Sequence, residues 1–361
     1  MRGAEAAGSA ARVEAVTTLA ALESLQAEWE QLWSQAPQAT PFQAPQWLLP
    51  WCKHIARGEL ATLAVRDADA GDLVGLAPLY VHTEAATGRR RLLPIGIGTS
   101  DYLDWLARQG WEDRVIASVA QRLACVADAD VLELPQLRQG SMLLGSAMPA
   151  GWHWEAVEGE PNPVVSLNAT PACAALSIPQ AMANNLRACR VRAARAGAVS
   201  YELADAQTLL VFLDALVRLH ARRWSARGLP GVLSDAGVLA AHRQAAPLLQ
   251  AAGLLRLHGL RLDGELIAVL YCLVDPAPAH RRWCYYYIGG FDPRFAALSP
   301  GTLLVAHAIE QAWAEGATSF DFLRGAEAYK YRWGAVDQPM YTLRLRRKRA
   351  ADRSAWPAAT A

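Results

Sequence analysis

The sequence contains little lysine and little net charge. Lys53, Lys330 and Lys348 are its only lysines among 35 basic residues, and its formal net charge is +1. A protein without a strong field of one sign has no general attraction for nucleic acid or for anionic membranes. Because arginine takes the place of lysine almost everywhere, an arginine by itself is poor evidence of phosphate binding. We therefore expect no nucleic-acid partner.

Signatures of metal, disulfide and nucleotide sites are also missing. The six cysteines form no Cys-x-x-Cys pair, and the eight histidines form no His-x-x-x-His motif. These absences argue against a zinc site, a disulfide framework and metal catalysis. The sequence has no Walker loop and no Gly-x-Ser-x-Gly motif, which argues against a P-loop protein and against a serine hydrolase.

Long apolar runs are absent as well. Runs such as residues 266–274 reach about half of the ~20 residues that a membrane-spanning helix needs. Residues 1–15 lack the apolar centre of a signal peptide, so we expect a cytoplasmic chain that does not span a membrane. Hydrophobic residues nevertheless make up 53% of the 361 positions, which is ample for more than one buried core. Two domains are the expectation for this length.

The same series of predicted elements occurs in both halves of the sequence. Each half contains a hairpin, with strands at 60–66 and 73–81 in the first half and at 254–262 and 265–274 in the second. The second hairpin turns at Asp263-Gly264, and Asp-Gly between two β-rich runs is a strong hairpin signal. A strand, a helix and a strand follow each hairpin, at 91–97, 111–127 and 130–134 and again at 283–288, 301–315 and 318–323.

The ends of the two halves correspond too. A short strand and two amphipathic helices start each half, at 13–17, 19–33 and 45–56 and at 199–203, 206–224 and 237–252. A further strand closes each half, at 164–167 and at 340–346. This order predicts an α/β fold on a mixed sheet that is duplicated in tandem. We place an N-terminal domain at residues 12–170, a helical connector at 171–197 and a C-terminal domain at 198–350.

The start of the predicted helix 301–315 is suited to an anion. Ser299 can cap the helix, Pro300 favours its first position, and Gly301 has no Cβ to keep a ligand from the backbone. The first turn leaves N–H groups unpaired at the positive end of the helix dipole, which suits a pyrophosphate. Alternatively, Ser299 uses these N–H groups itself, as in many helices that bind nothing.

A dense group of ionisable side chains follows, between Asp321 and Arg332. An aspartate on a central strand is costly unless it is paired. Two interpretations are open. In one, Asp321 or Glu327 pairs with Lys330 or Arg332 in a structural corner; in the other, these side chains belong to an active site.

Six short segments carry a family resemblance. They are Gly-Phe-Asp-Pro at 290–293, Leu-Ser-Pro-Gly at 298–301, Asp-Phe-Leu-Arg-Gly at 321–325, Glu-Ala-Tyr-Lys-Tyr-Arg-Trp-Gly at 327–334, Pro-Phe-Gln-Ala-Pro-Gln-Trp at 41–47 and Ser-Asp-Tyr at 100–102. Together they resemble the GNAT acetyltransferases of the CelD/BcsL branch, which is linked to cellulose and exopolysaccharide biosynthesis. That branch is related to the tandem-GNAT FemABX transferases. The resemblance covers about residues 12–348 and agrees with the duplication.

The resemblance implies a reaction, its substrates and its partners. An acyl group, in the first instance acetyl, would pass directly from acyl-CoA to an amine or hydroxyl, without a metal. The acceptor would be a sugar-like or cell-envelope intermediate of exopolysaccharide synthesis, and the polysaccharide-synthesis machinery is an implied partner. Our interpretation of the first half is a degenerate copy of the domain, because Glu112 and Asp113 oppose an anion at the start of its helix.

The resemblance also implies roles for residues of the second half. The donor would bind at Ile288, Gly289, Gly290, Ser299, Gly301 and Thr302. Backbone N–H groups at 288–290 would polarise the thioester carbonyl, as an oxyanion hole does. Either Asp321 or Glu327 would be the base, and either Tyr329 or Tyr331 would protonate the leaving thiolate. Lys330 would act in catalysis or bind an acidic acceptor.

Four residues are candidates for acceptor binding, each with a structural alternative. Asp101 and Tyr102 occupy in the first half the place that the acyl site has in the second, or they form a turn. Arg187, on the predicted connector helix, binds a phosphate or belongs to a solvated face. Trp224 ends an amphipathic helix and is a ligand platform or part of the core.

Two other functions are open at this point. One is FemABX-like transfer from aminoacyl-tRNA, against which the near-zero net charge argues. The other is a non-catalytic GNAT-like module of a polysaccharide synthase system. The second alternative is motivated by the loop at 298–302, which keeps only Gly301 where GNAT proteins usually have several glycines.

Overall fold

The structure, a computed structural model, describes residues 10–125, 129–145, 152–167, 178–225, 228–276 and 282–347. The chain divides into two compact units. The first unit comprises Met1–Cys52, Ala56–Gly159 and Met340–Ala361, and the second comprises Lys53–Ile55 and Glu160–Pro339. The predicted domains and their connector have different limits, and residues 168–177 of that prediction lie outside the described ranges.

The described strands are β1 (Ala11–Val16), β2 (Glu59–Leu60), β3 (Thr62–Asp67), β4 (Leu73–Ala77), β5 (Leu79–Thr83), β6 (Arg90–Pro94), β7 (Leu106–Ala107), β8 (Val131–Arg138), β9 (Trp152–Glu158), β10 (Asn162–Ser166), β11 (Val199–Leu203), β12 (Leu255–Leu262), β13 (Glu265–Val274), β14 (Trp283–Phe291), β15 (Ser319–Asp321), β16 (Val336–Gln338) and β17 (Met340–Arg347). The described helices are α1 (Leu19–Ser24), α2 (Gln26–Gln35), α3 (Pro45–His54), α4 (Glu112–Cys125), α5 (Gln180–Ala196), α6 (Leu209–Ser225), α7 (Ala236–Ala251), α8 (Pro300–Ala314) and α9 (Ala328–Tyr331). Among them, no helix combines the length and the apolar character needed to cross a bilayer.

The first unit contains two sheets, with strand orders β1-β3-β4-β7 and β2-β5-β6-β8-β17-β9. β6 and β8 are parallel, and α4 lies between them in sequence. The prediction of one strand at 73–81 is wrong, because the chain changes sheets at Pro78. Proline has no N–H to donate to a strand ladder, so it separates β4 from β5.

The second unit contains one seven-stranded sheet, in the order β11-β12-β13-β14-β15-β10-β16. β14 and β15 are parallel with α8 between them in sequence, whereas the other neighbours are antiparallel. The predicted hairpin at Asp263-Gly264 is confirmed, since both residues have positive φ, 48° and 82°, as a tight two-residue turn requires. Both units thus contain a parallel strand pair connected through a helix. This mixed α/β arrangement is the predicted fold class, consistent with a tandem GNAT-like fold.

The last predicted strand of each half, β10 and β17, lies in a sheet of the other unit. β10 lies between β15 and β16 in the second unit, although its sequence closes the first half. β17 lies between β8 and β9 in the first unit, although its sequence closes the second half. These two strands account for the difference between the compact units and the predicted domain limits. A strand's hydrophobic pattern specifies which face is buried but not which neighbour it pairs with.

α8 packs on the face of the second unit's sheet that carries the main core. Leu304, Ala308 and Ile309 of α8 join Leu270 and Cys272 of β13 in that core. Leu304 and Ala308 are four residues apart and Ile309 follows Ala308, so the three side chains share one face of α8. The same packing places α8 against β13 and β14.

Candidate active site

β14 and β15 run side by side and then part. Their parallel pairing ends at Tyr285 and Asp321. β14 continues to Phe291, whereas β15 stops at Asp321. A register shift in the pairing of β14 with β13 leaves Tyr287 as an extra residue, which bends the strand locally. The edge of β14 beyond Tyr285 is therefore not covered by β15.

The loop after β15 is held by side chains that were predicted to be catalytic. The buried Asp321 carboxylate accepts the Leu323 N–H at 2.7 Å, in a turn where Leu323 has a φ of 59°. The buried Lys330 ammonium donates to the three carbonyl oxygens of residues 323–325, at 3.0, 2.7 and 3.0 Å. Glu327 forms an ion pair with Lys330 at 2.8 Å. These contacts build the structural corner that was one of the two interpretations of this segment.

The start of α8 leaves backbone N–H groups available. Ser299 is the N-cap, in the left-handed region with a φ of 57°, and its side chain makes no capping hydrogen bond. The Leu303 N–H bonds to the Ser299 carbonyl, so the N–H groups of Gly301 and Thr302 come before the first helical bond. A Cβ at Gly301 would meet only the Phe291 ring, at 3.7 Å. The alternative in which the Ser299 side chain uses these N–H groups is therefore wrong.

A cavity of about 300 Å³ lies over this helix start and the uncovered edge of β14. Ser299, Gly301 and Thr302 line it from the helix side. Gly289 and Gly290 line it from the strand side. The predicted donor-binding segments of the sequence thus come together around one cavity.

Side chains of α5, α6 and the segment that follows α9 complete the wall. Asn185 belongs to α5, Arg223 to α6, and Arg332 and Trp333 follow α9. The described lining contains two arginines and no carboxylate. Because the α8 dipole adds a positive end, this cavity suits an anionic ligand. Within the described ranges, no group of three or more His, Cys, Asp or Glu side chains could hold a metal ion.

Two tyrosine hydroxyls lie in the same wall. Tyr286 and Tyr329 lie close enough for each to affect the pKa of the other, and Arg223 lies close enough to lower the pKa of Tyr286. The Phe322 ring contacts both tyrosine rings, with centroid distances of 5.9 and 6.1 Å. Burial raises the pKa of Tyr286 and Arg223 opposes this effect, whereas burial, Tyr286 and Glu327 all raise the pKa of Tyr329. Both phenols are therefore protonated hydrogen-bond donors at neutral pH.

The two glycines of β14 meet different neighbours, as expected for successive residues on a strand. A Cβ at Gly289 would lie 2.8 Å from the Tyr286 hydroxyl oxygen. A Cβ at Gly290 would lie 2.7 Å from the His220 backbone nitrogen and 3.0 Å from the Leu219 carbonyl carbon. Gly289 therefore makes room for the hydroxyl group, and Gly290 lets α6 approach the strand.

The structure brings some of the predicted site residues together and leaves others outside. Those that line the cavity are Gly289, Gly290, Ser299, Gly301, Thr302 and Tyr329. Those not among its described lining are Ile288, Asp321, Glu327, Lys330 and Tyr331. The Tyr331 hydroxyl donates to Asp337 at 2.8 Å, at the surface. Tyr329, rather than Tyr331, is thus the predicted tyrosine that reaches the cavity.

The predicted acceptor-binding residues are not among the described lining of the cavity. Asp101 and Tyr102 belong to the first unit, where both are buried and the Arg138 guanidinium lies 4.7 Å from the centroid of the Tyr102 ring. Arg187 is exposed on α5, and Trp224 is half-buried near the end of α6. Acceptor binding by these four residues stays a prediction.

Several residues of the cavity were not found from the sequence. Arg223 immediately precedes Trp224, which was selected in its place. Tyr286 is two residues from the buried Cys284 on β14, and residues two apart on a strand share a face. That spacing was the available signal for a side chain facing the core. Asn185 and Arg332 carried no signal, because their orientation depends on how α5 and α9 pack.

The second half of the chain matches a known protein family. Residues 180–331 match a family model described as an acetyltransferase (GNAT) domain. A search of curated protein sequences found no match. The matched segment includes β14, the whole of α8 and Tyr329, which contribute most of the site described above.

Solved structures resemble the chain over nearly its whole length. FemX has a TM-score of 0.63 at 12% identity, with 91% of this chain and 96% of FemX covered. L-PGS from Bacillus licheniformis has a TM-score of 0.57 at 13% identity, with 90% and 92% covered. The C-terminal domain of a protein assigned as a lysylphosphatidylglycerol synthetase, from Agrobacterium fabrum, has a TM-score of 0.54 at 14% identity, with 90% and 93% covered. Residues 180–331 of this chain therefore match a GNAT acetyltransferase domain, and the whole chain has a fold similar to that of FemX.

Proposed function

We propose that the second unit transfers an acyl group, in the first instance acetyl, from acyl-CoA to an amine or hydroxyl. The observation that carries this proposal is the cavity at the start of α8, which has free N–H groups, two arginines and no carboxylate in its described lining. A pyrophosphate requires this combination of N–H donors and positive charge. The match of this segment to an acetyltransferase domain supports the same conclusion.

The chain's own residues supply the functions that acyl transfer needs. The Gly289 N–H lies on the edge of β14 that β15 does not cover, where it can polarise a thioester carbonyl. Of the two predicted bases, Asp321 is buried within its loop, whereas the Glu327 side chain is 59% exposed. Glu327 is therefore the predicted base that an acceptor can reach.

The proposed acceptor is a sugar-like intermediate of cell-envelope or exopolysaccharide synthesis. This part of the proposal rests on the CelD/BcsL-like segments of the sequence. The cavity itself is assigned to the donor, so it does not define the acceptor.

Calorimetric titration with acetyl-CoA and octanoyl-CoA tests the donor. We expect micromolar binding to the native protein and loss of binding in Gly301→Glu. The new carboxylate would stand at the positive end of α8, where its negative charge is favourable by ~0.3–1 kcal/mol and competes directly with the pyrophosphate. Gly140→Glu is the matched control, because a Cβ at Gly140 meets nothing within 4 Å and the residue lies in the first unit.

Two results would contradict the donor assignment. Absence of binding with either acyl-CoA would exclude this donor for a folded protein. Equal loss of affinity in Gly301→Glu and Gly140→Glu would show that the charge, and not its place at the helix start, is responsible.

A second candidate function is transfer of an aminoacyl group. It is favoured by the folds of FemX and of the two lysylphosphatidylglycerol-related proteins, although similarity at 12–14% identity concerns the fold alone. Binding of aminoacyl-tRNA would require many phosphate contacts and a steep dependence on salt. A tRNA affinity that falls at least about a hundredfold between 50 and 200 mM salt would support this candidate in place of acyl-CoA.

A further inference from the structure

The bulge in β14 turns one tyrosine side chain away from the donor cavity. Tyr286 packs against the main core, on the face of the sheet that α8 covers. Tyr287, the extra residue of the bulge, instead contacts His242 of α7, as does Tyr271 of β13. These contacts lie on the opposite face of the sheet. The bulge thus places a phenol on that face, only two residues from Gly289.

Tyr287, His242 and Tyr271 form a cluster of three rings. The His242 ring centroid lies 5.4 Å from that of Tyr287 and 5.7 Å from that of Tyr271, and the two phenol rings are 5.6 Å apart. The Tyr287 hydroxyl oxygen lies 3.4 Å from Nε2 of His242. The hydroxyl donates to this nitrogen when the imidazole proton is on Nδ1. Hydrogen bonds between catalytic groups are often this long before a substrate binds.

The exposure of the three rings decreases from Tyr287 inward. Tyr287 is half-buried, His242 is 5% exposed, and Tyr271 is fully buried. The Tyr271 hydroxyl has no hydrogen-bond partner among the described residues. A ligand on this face can therefore touch Tyr287, whereas His242 is reached only through it.

The imidazole in this cluster is neutral. The titratable groups that face His242 are Tyr271 from β13 and Tyr287 from β14. From α6, Asp214 pairs with Arg243 of α7, and both side chains of this ion pair are exposed. Burial lowers the pKa of His242 to about 4, so the imidazole carries no charge at physiological pH. A neutral imidazole is able to accept a proton.

The donor assignment leaves the face of Tyr287 to the acceptor. Acyl-CoA is assigned to the cavity on the α8 side, and the Gly289 N–H is directed to the thioester carbonyl from the free edge of β14. A nucleophile adds to a carbonyl carbon from one side or the other of the carbonyl plane, and the donor fills the α8 side. Two residues of a strand span only ~6.6 Å, so a phenol at 287 is within reach of an acceptor that attacks from the opposite side.

We propose that Tyr287 is a catalytic residue that takes the proton of the acceptor, and that His242 is the positioning residue that receives the proton of Tyr287. This inference rests on the proposed acyl-CoA function. The N–H or O–H proton of the acceptor passes to the Tyr287 oxygen while the Tyr287 proton passes to Nε2 of His242. The freed electron pair forms the bond to the acyl carbon, and the carbon–sulphur bond breaks with its electron pair on sulphur. The imidazolium then returns its proton through Tyr287 to water.

This relay, Tyr287 with His242, is an alternative to Glu327 for the same proton. An amine or hydroxyl becomes more acidic as it bonds to the carbonyl carbon, so a weak neutral base is sufficient. The two routes differ in which substitution stops transfer, and they are separated by replacing each residue alone.

The test compares an acceptor that must lose a proton with one that need not. Glucosamine is the amine acceptor and 2-mercaptoethanesulfonate is the thiol acceptor, each with acetyl-CoA and the full chain at pH 8.5. A thiol ionises near this pH and attacks as the thiolate, so it needs no base. Free CoA and the acetylated products are separated by liquid chromatography, and the rates without protein are subtracted.

Two substitutions interrupt the relay at different points. General base catalysis contributes about 10²- to 10⁴-fold, so we expect Tyr287→Phe to lower kcat with glucosamine by about a hundredfold or more. We expect little change in KM for acetyl-CoA and in the thiol reaction. His242→Gln offers Tyr287 an amide oxygen that accepts a hydrogen bond but no proton, and we expect it to lower kcat with glucosamine at least about tenfold. It is the decisive variant if Tyr287→Phe does not fold.

Tyr201→Phe is the matched control. Tyr201 is a half-buried phenol of the same unit, and its ring stacks on that of His307 at a centroid distance of 4.4 Å. It is not among the described lining of the cavity. We expect native rates with both acceptors in this variant, and a loss equal to that of Tyr287→Phe would overturn the relay.

The remaining outcomes separate the relay from the proposed function. Native rates with glucosamine in Tyr287→Phe or in His242→Gln, an equal loss with both acceptors, or a loss confined to Glu327→Gln would overturn the relay and leave the acyl-CoA site standing. A native protein that binds acetyl-CoA but does not acetylate glucosamine would have the same meaning. Absence of acetyl-CoA binding by calorimetry would overturn the relay together with the proposed function.

Discussion

Replacement of Lys330 by methionine tests whether this residue acts in structure or in chemistry. Lys330 is 2% exposed, and its ammonium donates to three successive carbonyl oxygens at 2.7 to 3.0 Å. Methionine fits a similar volume but leaves these carbonyl groups without their donor. Breaking one side of a buried charged interaction costs ~3–5 kcal/mol, which is a large part of the stability of an ordinary domain.

The ion pair with Glu327 contributes much less to this effect. The Glu327 side chain is 59% exposed, and exposed ion pairs are worth about 1 kcal/mol or less. We therefore expect Glu327→Gln to change the free energy of unfolding slightly and Lys330→Met to reduce it by ~3–5 kcal/mol. Glu327→Gln is the matched variant, since it removes the charge partner and keeps the three carbonyl contacts.

Urea denaturation followed by circular dichroism and by tryptophan fluorescence measures both variants. Trp283 and Trp333 are buried in the second unit and contribute to the fluorescence signal there. Release of CoA thiol from acetyl-CoA, measured in parallel, reports the chemistry. A Lys330→Met protein that is as stable as the native protein but inactive would refute the structural role and return Lys330 to the predicted catalytic group.

Two further predictions concern packing and pH. Gly290→Ala should destabilise the protein by ~1–3 kcal/mol, because the new Cβ would lie 2.7 Å from the His220 backbone nitrogen. A urea midpoint equal to that of the native protein would contradict this expected loss of stability. Burial lowers the pKa of His220 and His242 to about 4 and that of His258 to about 3, so these side chains are neutral in the folded protein near neutral pH. Below about pH 6.5 the same side chains take up protons when the protein unfolds. The free energy of unfolding should therefore fall as the pH is lowered from about 6.5 to about 4, and less steeply in His242→Phe. The same slope in His242→Phe and in the native protein would show that this histidine is not responsible.

Local features of the sequence predicted local features of the structure well. Asp263-Gly264 forms the expected tight turn, because few residue pairs accept positive φ at both positions. Ser299 and Pro300 marked the start of α8 within one residue. In each case the cause lies within a few residues of the effect.

Predictions about partners distant in sequence were less successful. Lys330 and Glu327 lie in a cluster whose structural and catalytic interpretations could not be separated by composition. Only the fold shows that the Lys330 ammonium meets the carbonyl oxygens of residues 323–325 rather than the cavity. The pairing of β10 and β17 was missed for the same reason, because a strand's own residues do not identify its neighbours.

The sequence by itself determined the mixed α/β class, the duplication and the helix start at Ser299 and Gly301. Periodicity, turn residues and capping residues act over short distances, so they can be recognised in one chain without its fold. Tertiary structure alone decided which side chains surround that helix start. Arg223 reaches the cavity because α6 approaches β14 at Gly290, where the absence of a Cβ allows close packing. The chemistry of the site therefore depends on contacts between segments that are far apart in the chain.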